Sequence, residues 1–249
     1  MVAAPAAVDA VARARRLPGL RGGLHLVLVE GRPALPPGRI PDLVDSTGAF
    51  RTDMARLGLD IALWPSVRAQ LADEITAQFE AYRATGLPLD HVNAHKHFHL
   101  HPMIGALTIR IGRAYGAPAI RVPGEPSGII AAIEPGAGGL SGRALAQWAR
   151  ILRLQAGWAG LAAPDAVFGL AWSGAMTPPR VAGILARLPP GFVEIYTHPA
   201  TTNDFTGHAP GYRYAEELVA LTDRGCIEAA RRCGRRLAGY SDRLTNGHG

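Results

Sequence analysis

Lysine is nearly missing from this chain. Lys96 is the only one, so the other basic residues among the 26 are all arginine, and with 20 acidic residues the formal net charge is +6. A basic balance invites a nucleic-acid reading. Aromatics, however, make up only 6% of the sequence, and none interleave with Arg13-Ala14-Arg15-Arg16 or Arg231-Arg232 to Arg235-Arg236 as a base-stacking platform requires. These arginines read as solvated helix faces, and no nucleic-acid partner is expected. Cysteine is scarce as well. Cys226 and Cys233 lie about two turns apart in a helix-like stretch, too far along the axis for a disulfide, so reduced thiols and a cytoplasmic location are the default. No apolar run reaches the roughly 18 residues of a membrane-spanning helix. Met1 to Ala7 lacks the basic start and long apolar core of a secretory signal. No low-complexity linker divides the chain, so 1–249 reads as a single domain.

What is abundant is histidine in one place. Five of the nine histidines lie between His91 and His101, and Lys96 sits among them. The stretch follows a strand-like run, Leu89 to Val92, and precedes a helix-like one, Met103 to Tyr115. It therefore occupies a strand-to-helix loop, where α/β enzymes concentrate their chemistry. If the strand continued, His95, His97, His99 and His101 would share one face. At about 3.3 Å per residue they would span about 20 Å, against metal–nitrogen bonds of about 2 Å, so only one or two can bind one ion. The rest orient ligands, bind substrate or cap the helix that starts near Pro102. A histidine tract can also be a tag or a loose metal-binding tail, but this one is internal and framed by regular elements.

Along the chain, Val8 to Arg16 has helical spacing ended by Pro18-Gly19. Gly23 to Val29 is a continuous apolar run consistent with a buried parallel strand, and His25 within it is either a hydrogen-bonded core imidazole or a ligand at a strand end. Glu30 to Phe50 is a proline-rich loop. Val67 to Tyr82 is an amphipathic helix with Leu71, Ile75, Gln78, Phe79 and Tyr82 on one side and Asp73, Glu74 and Glu80 elsewhere. Pro118 to Pro123 is a short strand carrying Arg121, which on a buried strand needs a carboxylate or an anionic substrate group. Glu125 to Gly139 reads as a loop, and Ser141 as the cap of a helix running to about Leu161.

Ala166 to Leu170 is a further strand, and Thr177-Pro178-Pro179 opens a helix with Thr177 at its N-cap. Phe192 to Pro199 runs from strand into a loop bearing His198. Helices at Tyr214 to Leu221 and Arg224 to Cys233 and a last strand near Leu237 to Tyr240 complete the alternation. That pattern predicts an α/β barrel of parallel strands or a relative of it, with the site at the strand C-termini, where His25, the His95 cluster and His198 gather. One or two neutral imidazoles plus a carboxylate make a divalent-metal site with an open position for water, and a further histidine then serves as general acid.

Three phrases carry a resemblance to a known family. Gly23-Leu24-His25-Leu26, Asn93-Ala94-His95-Lys96-His97-Phe98-His99 and Thr197-His198-Pro199-Ala200 resemble motifs of the YdjC-like carbohydrate deacetylases, which include the chitooligosaccharide deacetylases. The longer phrases Leu24 to Pro37 and His91 to Pro102 are most similar to the branch associated with hopanoid lipid biosynthesis, and the similarity runs along essentially the whole chain. The resemblance implies a distorted (β/α) barrel and metal-dependent removal of an acetyl group from an N-acetylated sugar, in the hopanoid branch an N-acetylglucosaminyl hopanoid. It implies His25 and His95 as ligands of a divalent ion, Mg2+ or Zn2+, and His198 as the acid that protonates the leaving amine. It also implies Arg121 as a residue orienting a carboxylate or the substrate. The implied partner is an N-acetylated sugar or glycolipid, with room for peripheral membrane association through a lipid substrate and for a homodimer.

The chain departs from the family pattern twice. Asn93 stands where many members have Asp. The family also opens with a strand ending in Asp-Asp-Phe-Gly, one aspartate binding the metal and the other acting as base, and this chain contains no Asp-Asp pair. Met1 aligns with an internal position just before the helix leading to the His25 strand, so the expectation is a barrel lacking its first strand. Such a chain would expose apolar strand edges and turn over poorly until upstream residues are restored. The competing readings are a non-catalytic protein of the same fold that binds a glycolipid or partner, and a different barrel-type metal hydrolase using a His-x-His pair. A metal titration separates the enzyme from the binding protein, because two histidines without their carboxylate bind weakly.

Overall fold

We describe the fold from a computed structural model, which describes residues 1–137 and 141–242, and of 141–144 the backbone alone. In chain order it runs α1 (Ala7–Ala14), β1 (Leu24–Leu26), a 3-10 turn at Pro37–Arg39, α2 (Met54–Leu63), α3 (Pro65–Ala84) and β2 (Val92–Ala94). A 3-10 segment at His95–Leu100 leads into α4 (Pro102–Ala114), followed by α5 (Ser127–Ile133), α6 (Ser141–Trp158) and β3 (Ala166–Phe168). Then come α7 (Pro178–Leu185), β4 (Val193–Ile195), α8 (Tyr214–Thr222) and α9 (Arg224–Arg232). The chain divides into two compact units. One comprises Met1–Arg121, Arg150–Ala163 and the segment from Gly239 onward; the other comprises Val122–Ala149 and Pro164–Ala238.

In the first unit β1 and β2 pair in parallel, with His25 opposite Asn93 and Leu26 opposite Ala94. Parallel bridges from Val92 to Ile120 and from Ala119 to Ala162 extend the ladder. In the second unit β3 and β4 pair in parallel, Val167 opposite Glu194. The predicted alternation of helices with parallel strands is thus present. Among the described residues the strands form these two pairs rather than a closed ring, and the stretch near Leu237 to Tyr240 is not a strand.

Helix α3 holds the first unit together. Proline at its first position fits a helix start, where the missing N–H has no intrahelical partner. Val67, Leu71, Ile75, Phe79 and Tyr82 recur at three- and four-residue spacing and are buried. Glu74, expected on the solvated side, is instead fully buried on this same face beside Gln78. Its carboxylate accepts from the backbone N–H of Ala34 at 2.8 Å and Leu35 at 3.0 Å, and from Gln78 Nε2 at 2.8 Å. Gln78 also closes both backbone groups of Val27, accepting from its N–H and donating to its carbonyl. Burial raises the Glu74 pKa despite these bonds. Two polar side chains on an apolar face therefore pin the exit of β1 and the proline-rich loop behind it. Periodicity alone cannot show that, because the partners are backbone groups forty residues away in a loop.

Asp90, buried just before β2, closes the unit against its last segment. It accepts from the N–H of Tyr240 (3.1 Å) and Ser241 (2.9 Å), from Ser241 Oγ (2.6 Å) and from His91 Nδ1 (2.9 Å). Burial pushes its pKa up, but the bonds from His91, Ser241 and Tyr240 outweigh it and hold the group well below the ordinary carboxylate range. A depressed folded value means the carboxylate adds stability above the unfolded pKa of 3.8 and loses that contribution as pH falls below it. Asp90→Asn is expected to cost about 3 kcal/mol at pH 7 and to flatten the acid limb of the stability curve. Urea midpoints measured from pH 7 down to pH 3 check this, and an equally steep acid limb in both proteins would refute it.

The sequence signals met varied outcomes elsewhere. Helix α2 was not anticipated; Asp53 caps it by accepting from Arg56 N–H at 2.9 Å. The expected loop from Glu125 contains α5, and the Glu125 carboxylate accepts from Gly169, Leu170 and Ala171 N–H at 2.8 to 3.0 Å, closing the end of β3. Thr177 is at the N-cap of α7, but its side chain makes no capping bond. The capping side chain expected at Ser141 lies outside the described residues. The second unit's core gathers Ile130, Phe168, Trp172, Met176, Val181 and Ile184, with Cys226 among them. Cys226 and Cys233 are both free thiols.

Candidate functional site

His25 and His95 meet because β1 and β2 are neighbours and run the same way. Their rings stand edge to face with centroids 5.8 Å apart. Across the ladder, His25 Nδ1 lies 2.6 Å from Asn93 Oδ1. An amide oxygen only accepts, so Nδ1 carries the proton and the lone pair of Nε2 is left for another partner. Burial pushes the His25 pKa down to about 3, against the opposing Asn93 bond, and the charge of Arg121 adds to the lowering. The ring is therefore a neutral imidazole at physiological pH.

Beyond His95 the backbone turns sharply. Lys96 and His97 both adopt left-handed conformations, φ 51° and 54°, which cost non-glycine residues about 1 kcal/mol or more each. The strand therefore ends at Ala94, and the shared histidine face that a continued strand would give does not form. Glu30, also left-handed at φ 49°, bonds Lys96 Nζ through Oε1, and its Oε2 lies 3.9 Å from His95 Nε2. The chain's single lysine thus fastens a carboxylate beside His95.

The remaining histidines have other work. His99 is fully buried and its Nε2 donates to the Arg121 carbonyl at 2.8 Å. His101 occupies the N-cap position of α4 beside Gly58, and burial lowers its pKa. Arg121 is itself buried, and its N–H donates to the Val92 carbonyl at 3.0 Å, fixing it beside β2.

A divalent ion is tested by the donors present. His25 and His95 supply two imidazoles, the first with its tautomer set for binding through Nε2. Among the described residues no group of three His, Cys, Asp or Glu side chains is gathered closely enough to hold an ion. The pair fits two positions of a coordination shell, and Glu30 brings a carboxylate oxygen to 3.9 Å from His95 Nε2.

His198 belongs to the second unit. It follows β4, and its ring packs edge-on against Tyr196 (centroids 5.6 Å) and Tyr212 (5.2 Å). Glu217 of α8, fully buried, accepts from the His198 backbone N–H and from Met176 N–H at 3.0 Å. Its Oε2 also stands 3.9 Å from His198 Nδ1. Of the expected site residues, the structure brings His25 and His95 together, with Arg121 close enough for its charge to act on His25. Glu30 and Glu217 carry no sequence signal of a site role, whereas Asn93, which the sequence marks as a departure just before His95, is the bonding partner of His25. Glu217 looks from sequence like an ordinary first-turn acid of a helix.

Comparisons with known proteins follow the same lines. A family model described as YdjC-like protein matches residues 1–232. A carbohydrate deacetylase of Oceanobacillus iheyensis is 33% identical over 109 residues, 44% of this chain and 45% of that protein. A chitooligosaccharide deacetylase of Serratia marcescens is 32% identical over 125 residues, 47% of this chain and 45% of that one. The chain thus spans less than half the length of these relatives in the aligned stretch. A carbohydrate deacetylase of Thermoanaerobacter pseudethanolicus aligns over 239 residues, 95% of this chain and 83% of that protein, at 24% identity. A crystal structure from Enterococcus faecalis, named for cellobiose-phosphate cleavage, superposes with a TM-score of 0.72 over 97% of this chain and 85% of its own, at 21% identity. At that identity the likeness speaks to the fold.

Proposed function

The chain belongs to the YdjC-like protein family, and from that membership we propose that it is a hydrolase removing an acetyl group from an N-acetylated sugar, its residues 1–249 working as a single deacetylase domain. The observation that carries the reading is the His25–His95 pair at two adjacent parallel strand ends, with the His25 tautomer fixed by Asn93. His25 and His95 are assigned to a divalent cation, Mg2+ or Zn2+. Such an ion supplies Lewis acidity toward an acyl oxygen and toward water.

The chain's own residues do the rest. Asn93 orients His25, His198 delivers a proton to the departing amine nitrogen, and Arg121 orients a carboxylate or the substrate. Within this reading the substrate is an N-acetylglucosaminyl glycolipid of the hopanoid type. No described helix is long and apolar enough to cross a membrane.

One observation favours a second reading, a non-catalytic member of the family that binds a glycolipid or partner: the absence of a three-residue donor group among the described residues. A single experiment separates the two. Acetate release from N-acetylglucosaminyl substrates, lipid-linked and free, is followed with Mg2+ or Zn2+ supplied and after chelation. The proposal expects release that chelator abolishes and metal restores. Metal-independent sugar binding with no acetate released at any metal concentration would favour the second reading.

A further inference from the structure

His91 belongs to the histidine stretch but not to the metal assignment, and its surroundings are specific. Its Nδ1 lies 2.9 Å from Asp90 Oδ2. Its Nε2 lies 3.4 Å from Asn93 Nδ2. Asn93 in turn presents Oδ1 to His25 Nδ1 at 2.6 Å. The ring is held flat against Tyr240, centroids 4.4 Å apart and planes 22° from parallel. Asp90 and Asn93 are both buried.

With the His91 ring neutral, donor and acceptor roles along this line have one consistent assignment. A carboxylate only accepts, so His91 Nδ1 carries a proton and, in the neutral ring, Nε2 is an acceptor. That acceptor meets the amide nitrogen of Asn93, which turns the amide so that its oxygen faces His25. The oxygen accepts a hydrogen bond from His25 Nδ1–H, and the Nε2 lone pair is left unprotonated. Each bond polarises the next in a low-dielectric setting.

We propose that Asp90, His91 and Asn93 form a hydrogen-bonded relay that fixes His25 as its Nδ1–H tautomer and so presents Nε2 to a cation. His91 and Asn93 are positioning residues, and Asp90 is the fixed charge that gives the relay its direction. The same carboxylate also accepts from the backbone N–H groups of Tyr240 and Ser241. Asn93 with its oxygen toward His25 can do what an aspartate would do there only because His91 sets the amide's orientation.

The proposal rests on the metal assignment of His25 only for its purpose, and the test separates the two. The tautomer of His25 is read in metal-free protein at neutral pH by two-bond proton–nitrogen correlation of the imidazole, in the wild type and in N93A, N93D and H91F. Phenylalanine at 91 keeps an aromatic ring against Tyr240 and removes both nitrogens. The expected result is Nδ1–H in the wild type and in N93D, a majority of Nε2–H in N93A, and a mixture in H91F. An Nδ1–H ring in N93A, or one unchanged in H91F, would overturn the relay. In parallel, calorimetric Zn2+ titration should show affinity falling about 10- to 100-fold in N93A and recovering in N93D; equal affinity in wild type and N93A would also overturn it. Should wild-type protein bind no metal, the metal assignment falls while the tautomer measurement still decides the relay.

Discussion

His25→Ala and His95→Ala are each expected to abolish metal-dependent acetate release while the protein stays folded. Each removes one of the two imidazoles brought together where β1 and β2 pair, and a two-donor partial shell that loses a nitrogen has too little left to compete with water for the ion. A bound cation stabilises developing charge by several kcal/mol, and each 1.4 kcal/mol is tenfold in rate, so the loss is about 10³-fold or more. The fold survives because both rings are only partly buried, unlike Leu24 and Leu26 beside His25, which are fully buried. Acetate assays, calorimetric metal titration and thermal melts on the same samples measure all three claims. Near-normal turnover in either variant with metal bound would remove that residue from the ligand set.

His198→Ala is expected to behave differently: metal affinity stays, and the rate falls by about 10²–10⁴-fold, the usual contribution of a positioned general acid. An amine is a poor leaving group unless protonated as the C–N bond breaks, so the deficit should shrink on an activated aryl ester whose alcohol leaves unaided. Glu217 makes the residue suited to that role. A fully buried carboxylate fixes the histidine's backbone and faces its Nδ1 at 3.9 Å, while Tyr196 and Tyr212 confine the ring. If His198→Ala lost metal as His25→Ala does, the histidine would be a ligand instead. An equal deficit on ester and amide would remove the proton-donor role.

Much of this was legible in the amino-acid order where one local signal decides the outcome. The spacing of Leu71, Ile75 and Phe79 predicts α3, the apolar run around His25 predicts β1, and prolines at 102 and 178 mark helix starts that the structure shares. His25 and His95 stand out because polar rings at strand ends are costly without a purpose. What stayed hidden depends on partners distant in sequence. Glu74 looks solvated until the backbone of residues 34 and 35 arrives, and Glu217 looks solvated until residues 176 and 198 do. The turn at Lys96 and His97 left no trace either, because left-handed backbone is usually announced by glycine or asparagine, and neither occupies those positions. The strand expected near Tyr240 failed for a related reason: its N–H groups are taken by a side chain, Asp90, rather than by a neighbouring strand.

That last contact sets a timetable for the chain's birth. Asp90 and Ser241 are 151 positions apart, and all of the second unit is encoded between them. At elongation rates of about 5–20 residues per second, the carboxylate waits on the order of 10 s after synthesis before its partners exist. Closing a loop of that length costs about 4 kcal/mol of chain entropy, so little draws the ends together until the tail is present. During that interval the Asp90 carboxylate lacks its Tyr240 and Ser241 donors, and the second unit has time to fold. The first unit therefore gains its Asp90 contacts only after the whole of the second has been synthesised.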